Sequence, residues 1–516
     1  MISADYIINF LIKKGIKNAY GYPGSLAGFT MEAMRKRSNE ISQHLLYHEE
    51  ACGFAAIGES IANNFAPAFC WTTSGPGATN VLTAIASAYY DSVPVLFLTA
   101  NVSSTLSDRN LGENSNSPRQ QPRQKGNQET DIVSMTTSIT KMSVRINTAN
   151  EVPEIIEKAW QELTTGRKGP VLIDLPIDIS RTEISDAKIF LSKQSNSNNN
   201  TAEDSDKKIA LLKDINSQII SANNPVILAG AGIRQAGVIS GFTNWATKQQ
   251  EQKTELQIVT TMLGKDLPIK SVGVVGAWGS PEVNKTLLES DLIISFGSRI
   301  AERILARNGG KFNKNQKLIR IDIDKNEINR VATPEITNTK KLILDLKNIF
   351  PHDSQDLNKV NQITTIDVGQ NMQWATTNLD LKPGDRTIFD GGHGTMGSAL
   401  PKAIGVYYAG FNNIRVVTGD GGLQMCSEEL HYIAQHNLPI KIYLLNNNSL
   451  GLIRQFQDNN FASQYFSTTE QTGFSSPNWE ALSKAYGLDY KLSNSRDFIN
   501  EDKSQTSKPT LIEIEL

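Results

Sequence analysis

The residues best placed to do chemistry are Gly419-Asp420-Gly421-Gly422 and, further on, Asn446-Asn447-Asn448. They sit in RVVTGDGGLQMCSEELHYIAQHNLPIKIYLLNNNSLG, which reads as strand, turn, helix and second strand. Glycines 419, 421 and 422 let the backbone come close to a ligand. The helix after the turn is expected to aim its N-terminus at that ligand, favouring an anion such as a diphosphate. Asp420 offers a hard carboxylate oxygen, and Asn447 returns at the end of the next parallel strand with an amide oxygen. Two side-chain oxygens, a backbone carbonyl, diphosphate oxygens and water suit a Mg²⁺ shell. A lone GDGG is equally well an ordinary strand–turn–helix connection. Positions 422–445, twenty-four residues, separate Gly-Asp-Gly from Asn446-Asn447.

Such residues need a scaffold of parallel strands and crossover helices, and the chain carries one. Its 516 residues, at roughly 100–200 per domain, imply about three domains. Short apolar runs alternate with helical patterns throughout, the α/β signature. In the first unit, strands are expected at Asn18–Tyr20, Pro67–Thr73, Val93–Thr99 and Pro170–Leu175, after an N-terminal helix capped by Ser3 or Asp5. The second unit has candidates at Val226–Leu228, Ile258–Thr261, Leu292–Phe296 and Leu318–Ile323. The third has them at Thr387–Phe389, Arg415–Thr418, Ile440–Leu445 and Thr510–Glu515. The Asn/Ser-rich tract 192–206 and the polar stretch 352–359 read as linkers. The expected domains are 1–180, 205–350 and 360–516, the first and third alike in size and character.

Composition excludes several classes. Lys+Arg is 51 and Asp+Glu 53, a net charge of -2, with no basic footprint for nucleic acid or an anionic membrane. Cys52, Cys70 and Cys426 are too few for a disulfide framework and fit a reducing cytosol. No apolar run approaches the ~18 residues of a membrane span. The N-terminus lacks the pattern of a signal peptide. The expected location is cytoplasmic.

With GYPG (21–24), YHEEACGFAA (47–56), TTSGPGATN (72–80), DVGQNMQW (367–374), GGHGTMG (391–397) and LGLIRQFQ (450–457), the chain resembles the thiamine diphosphate (ThDP)-dependent enzymes. The resemblance covers nearly the whole chain and is strongest to the acetohydroxyacid (acetolactate) synthase catalytic subunit. It implies three doubly wound parallel-sheet domains: pyrimidine-binding, central and diphosphate-binding. It also implies ThDP and Mg²⁺ as cofactors and at least a homodimer, or a homotetramer, with the active site between subunits.

The resemblance also assigns roles. Glu49 matches the glutamate that hydrogen-bonds the cofactor's pyrimidine; read alone, Glu49-Glu50 would be a solvated helix end. Met396 matches the apolar wedge beneath the cofactor, although a Met alone is more often core filler. Gly369, Gln370, Gly421 and Gly422 match the diphosphate loops. Asp420, Asn447 and the Ser449 carbonyl match the metal ligands. Gln128, in GNQETDIV, matches a residue near the reacting centre. Arg303 matches the arginine that meets the second substrate's carboxylate; its alternative is a surface ion pair. Phe456 replaces a tryptophan that shapes acceptor choice.

Departures fall on the same regions. Asn127 replaces a Phe, and Ile177 a Lys. The segment beside FAD keeps only its arginine in IAER (300–303), and Ala277-Trp278-Gly279 replaces Met-His-Gly. FAD is thus a possible further cofactor, and GAGIRQAG (230–237) is either its nucleotide turn or a plain βα turn.

After decarboxylation of a 2-oxo acid such as pyruvate, the two-carbon unit is either protonated or joined to a second carbonyl. Protonation is helped by a positioned acid such as histidine. Residues 101–130 contain none, which favours carboligation, although His48 and His393 are near in motif. The alternatives are a decarboxylase or C–C hydrolase of another 2-oxo compound, acetyl transfer to a keto-sugar, and a non-catalytic scaffold paralogue. Intact Glu49, Asp420 and Asn447 argue against the scaffold.

Overall fold

The structure is a computed structural model that describes residues 1–106, 123–185, 205–305, 315–330, 338–352 and 360–516. The expected linkers, 192–204 of the first and 353–359 of the second, lie outside these residues.

Three six-stranded parallel sheets follow one another along the chain. The first contains β1 (Asn18–Gly21), β2 (Ser42–His44), β3 (Ala68–Thr72), β4 (Val95–Asn101), β5 (Met142–Arg145) and β6 (Val171–Pro176), in the order β2-β1-β3-β4-β6-β5. The second contains β7 (Pro225–Ala229), β8 (Gln257–Thr260), β9 (Gly273–Val274), β10 (Leu292–Phe296), β11 (Lys317–Asp322) and β12 (Thr339–Ile343), in the order β12-β11-β10-β7-β8-β9. The third contains β13 (Gln362–Ile366), β14 (Asp385–Phe389), β15 (Ile414–Gly419), β16 (Ile440–Asn446), β17 (Asp489–Ser493) and β18 (Thr510–Glu515), in the order β14-β13-β15-β16-β18-β17. Counted from its own first strand, the third sheet repeats the order of the first. The likeness expected of these two units is therefore topological. The middle sheet has the order of dinucleotide-binding folds, read from its far edge.

Strands β3, β4 and β6 are buried along their whole length, as expected of parallel strands covered on both faces. Continuous apolar runs made them legible. The strands that sequence reading missed are mostly at or near edges, where side chains are polar: β2 is Ser-Gln-His, β12 Thr-Lys-Lys-Leu-Ile and β17 Asp-Tyr-Lys-Leu-Ser. Strand β13, Gln-Ile-Thr-Thr-Ile, is interior and was also missed, because its threonines break the apolar run. The first helix, Ser3–Lys13, corrects the expected cap. Ile2 holds the cap position without a side-chain bond. Ser3 is drawn inward, its hydroxyl donating to the Thr182 carbonyl at 3.1 Å.

The first and third sheets are joined helix on helix. The Glu49–Ala62 helix lies against the Ala399–Tyr408 helix, and one apolar core runs through both layers. The approach is close enough that a Cβ on Gly405 would overlap the Ala55 carbonyl oxygen, and one on Gly58 the Lys402 carbonyl oxygen. Arg386, beside β13 on β14, donates to the Ile61 and Ala62 carbonyls at 2.8 and 2.6 Å, closing the C-terminal end of the Glu49 helix. Gly405→Ala is expected to lower the thermal unfolding midpoint. Alanine gains about 1 kcal/mol of helix propensity, but backbone overlap in a packed interface costs about 1–3 kcal/mol or more. A midpoint that stays level or rises would show that the two helices separate freely.

Candidate active site

In the third sheet the chain leaves β13 and β15, adjacent strands, in opposite directions, so their C-terminal loops part and open a crevice. A cavity of about 840 Å³ occupies it. Gly369, Gln370, Met396, Asp420, Gly421, Gly422, Asn447 and Ser449 all line it. Eight residues from four separate segments thus converge on one space.

The Gly-Asp-Gly-Gly segment differs locally from expectation. It is not a turn before a long helix. Gly419 caps a helix that begins at Asp420 and ends at Gln424, and helical structure resumes at Glu429–Gln435. Asp420 is buried, which raises its carboxyl from the usual range. Its Oδ1 accepts from the Gly421 N–H at 2.9 Å. Its Oδ2 accepts from the Ser449 N–H at 3.1 Å and the Ser476 hydroxyl at 3.0 Å. The Asn447 Oδ1 accepts from the same Ser449 N–H at 3.1 Å, so acid and amide oxygens meet at one point. The Asn447 amide donates to Gln370 Oε1 at 3.3 Å. Among the described residues no group of three or more His, Cys, Asp or Glu could hold a metal ion. A cation at Asp420 would therefore draw on amide and carbonyl oxygens, the hard donors Mg²⁺ accepts.

Gly421 is required by space: a Cβ there would lie 2.7 Å from Leu450 Cδ2 and 3.3 Å from Met396 Cε. Asp367 opens the DVGQNMQW segment but carries no role that its sequence neighbours reveal. It is buried, and burial pushes its carboxyl up to about 6. Its Oδ2 accepts from the Thr418 hydroxyl at 2.9 Å and the Gly397 N–H at 3.0 Å, tying three cavity loops together. The loop bearing Met396 is also held at Gly391 by Asp91 and at Gly394 by Asp390, both at 2.9 Å. Buried Lys402 pairs with Asp390 at 3.4 Å.

Glu49 lies elsewhere. It is the first residue of its helix, capped by His48, whose ring accepts from the Glu50 N–H. Glu49 is buried, which sets aside the solvated reading of the pair. Asn80, at the end of TTSGPGATN, donates to Glu49 Oε2 at 3.0 Å. A Cβ on Gly77 would stand 3.1 Å from Oε1, and one on Gly75 2.9 Å from the Gln128 Cβ. Glu49, Asn80 and Gln128 therefore cluster around one glycine-rich turn. Gln128 is in the left-handed region, φ 65°, which is uncommon outside glycine. This cluster does not line the 840 Å³ cavity within one chain. The third domain of the same chain instead braces it from behind: Glu429 accepts the Tyr47 N–H at 2.8 Å. His393 stacks on Tyr90 with ring centroids 5.7 Å apart.

A second cavity, of about 450 Å³, opens where β7 and β10 diverge in the middle sheet. Gly232 follows β7 and Gly297 follows β10, and the two backbones touch. Arg299, Arg303 and Asp322 also line the space. A glycine-rich turn at the switch point of this sheet order, with arginines and an acid nearby, fits a nucleotide. GAGIRQAG is thus both a βα turn and part of a cavity wall. Arg303 lies here. Phe456, on the Gly451–Phe461 helix, lines neither cavity and is half-exposed, edge-on to Phe461.

Three parallel sheets with a Gly-Asp-Gly and Asn-Asn cavity at a switch point define a class of cofactor enzyme, and comparison with known proteins names it. Residues 1–135 match the N-terminal TPP-binding domain of thiamine pyrophosphate enzymes, 212–346 the central domain and 367–514 the C-terminal TPP-binding domain. The chain is 32% identical to the acetolactate synthase large subunit of Lactococcus lactis, covering 99% of this chain and 92% of that one. It is 30% identical to the probable acetolactate synthase large subunit of Methanocaldococcus jannaschii (100% and 92% covered). It is 29% identical to the acetolactate synthase isozyme 1 large subunit of Escherichia coli (99% and 91%). The chain belongs to the thiamine pyrophosphate enzymes and, within them, is a ThDP-dependent carboligase-type enzyme most like acetolactate synthase catalytic subunits. Among the described residues no helix is long and apolar enough to cross a membrane.

Proposed function

We propose that this enzyme decarboxylates pyruvate and joins the two-carbon unit to a second 2-oxo acid, forming acetolactate when both are pyruvate. The convergence of eight residues on the 840 Å³ cavity carries the reading. Bound there, ThDP supplies the electron sink that lets a carbon–carbon bond beside a carbonyl break and re-form. Gly369, Gln370, Gly421 and Gly422 would hold its diphosphate. Asp420, Asn447 and the Ser449 carbonyl would hold Mg²⁺, and Met396 would support the cofactor from one side. Glu49 would hold a proton at the pyrimidine ring, with Asn80 fixing the carboxyl. Because Glu49 and Gln128 do not line this cavity in one chain, a second copy would contribute them, as homodimer or homotetramer. That closure would exclude water from the reacting carbonyl.

Gln128 would face the reacting centre, Arg303 would meet the acceptor's carboxylate, and Phe456 would shape the acceptor side. Residues 101–130 offer no histidine to protonate the two-carbon unit, which leaves ligation favoured. The 450 Å³ cavity supports FAD as a further group, with Gly232 and Arg299 on its wall. Three buried free cysteines suit action in the reducing cytosol.

The test is incubation of the purified protein with pyruvate, ThDP and Mg²⁺, assayed for acetolactate. Turnover near 1 s⁻¹ or above, on the order of ordinary enzymes, is expected. Acetaldehyde as the main product would sink ligation in favour of simple decarboxylation. No product despite bound ThDP would sink the pyruvate assignment.

A further inference from the structure

Trp278 is the one residue of the Ala277-Trp278-Gly279 departure whose side chain is large, and it stands at a junction. It lines both the 840 Å³ and the 450 Å³ cavities. It follows β9 of the middle sheet and packs on the apolar cluster of the third, which contains Ile366 and Phe389. The Arg303 guanidinium carbon lies 4.5 Å from the indole centroid. The two segments are also fastened through the backbone. The Ala277 N–H donates to the Arg303 carbonyl at 2.6 Å, and a Cβ on Gly276 would overlap that carbonyl. Ile300, three residues earlier, is buried with φ 47°, a strained setting for a β-branched residue that holds only where packing over-determines it.

Arg303 makes no ion pair with a carboxylate among the described residues. A guanidinium resting on an indole keeps its in-plane N–H donors free, a fork that matches a carboxylate. Without the ring, a half-free arginine would sample many rotamers and lose that readiness.

We infer that Trp278 is a positioning residue that sets acceptor specificity. It borders both cavities, and its ring is the platform that holds the Arg303 guanidinium ready for an acceptor carrying a carboxylate beside its carbonyl. This rests on the reading that Arg303 meets the acceptor's carboxylate.

The experiment is a competition. The full-length protein, with ThDP and Mg²⁺, receives pyruvate as donor with 2-oxobutyrate and benzaldehyde as rival acceptors. The ratio of acid-derived to aldehyde-derived product is read for each variant. Trp278→Leu, which keeps apolar bulk but loses the aromatic face, is expected to lower the ratio about fivefold. Trp278→Phe, which restores a ring, should hold it within about twofold. Should Trp278→Leu fail to fold, Trp278→Met, which also loses the aromatic face, should lower the ratio about fivefold, Arg303→Met should lower it at least as far, and Trp278→Met/Arg303→Met should lower it no further than Arg303→Met. An unchanged ratio in Trp278→Leu, or a further drop in the double variant, overturns the inference and leaves carboligation standing. If the unaltered protein ligates only the aldehyde, the carboxylate-acceptor reading itself has failed, and the inference falls with it.

Discussion

Glu49→Gln should leave a folded protein whose turnover falls by about 10²–10⁴-fold, the range of a lost acid–base group. The substitution keeps length and shape, and an amide oxygen can still accept from Asn80, 3.0 Å away. Local packing around Gly77 is therefore preserved. On the proposed reading, what is lost is a carboxyl that would hold or release a proton at the cofactor's pyrimidine. Circular dichroism and ThDP titration would establish that the variant is folded and loaded, and steady-state rates with pyruvate would then isolate the chemical defect. Turnover within a few-fold of the parent would remove Glu49 from the mechanism.

Asp420→Ala should abolish Mg²⁺-dependent ThDP binding, weakening it at least about a hundredfold. Groups that merely support a metal's ligands cost 10- to 100-fold when removed, and a direct carboxylate ligand should cost more. The loss reaches further than one oxygen. Asp420 also accepts from the Gly421 and Ser449 N–H groups and the Ser476 hydroxyl. Its removal would leave those donors unpaired beside Gly421 and Gly422. Calorimetric titration of ThDP with and without Mg²⁺ reads the effect. Equal affinity in parent and variant would move the metal site away from Asp420.

Much of the candidate site's cavity lining was legible because its residues are local in sequence or spaced by a standard unit. Gly-Asp-Gly and Asn-Asn close the two adjacent strands β15 and β16, whose parallel pairing fixes the distance between them. Glu49 was legible through its flanking motif, and Asn80 was within reach, since it ends the TTSGPGATN segment. Asp367 was not, because its role depends on Thr418 and Gly397, 51 and 30 residues away. Ser476 gave no signal at all: it reaches Asp420 across 56 residues from an unremarkable loop.

By itself the sequence determined the three α/β units, the loop residues that line the cavity of the third and the cofactor class, since each is written in local periodicity and short motifs. Tertiary structure alone decided which residues share a space. The crossovers of parallel sheets bring loops as far apart as Gly369 and Ser449 to one switch point. The glycine-mediated contact of the Glu49 helix with the Ala399–Tyr408 helix then sets how the outer sheets meet. That packing leaves Glu49 and Gln128 off the Asp420 cavity within one chain and puts Trp278 between two cavities. No local pattern encodes such an arrangement, because it follows from the shapes of surfaces formed only once each domain has folded.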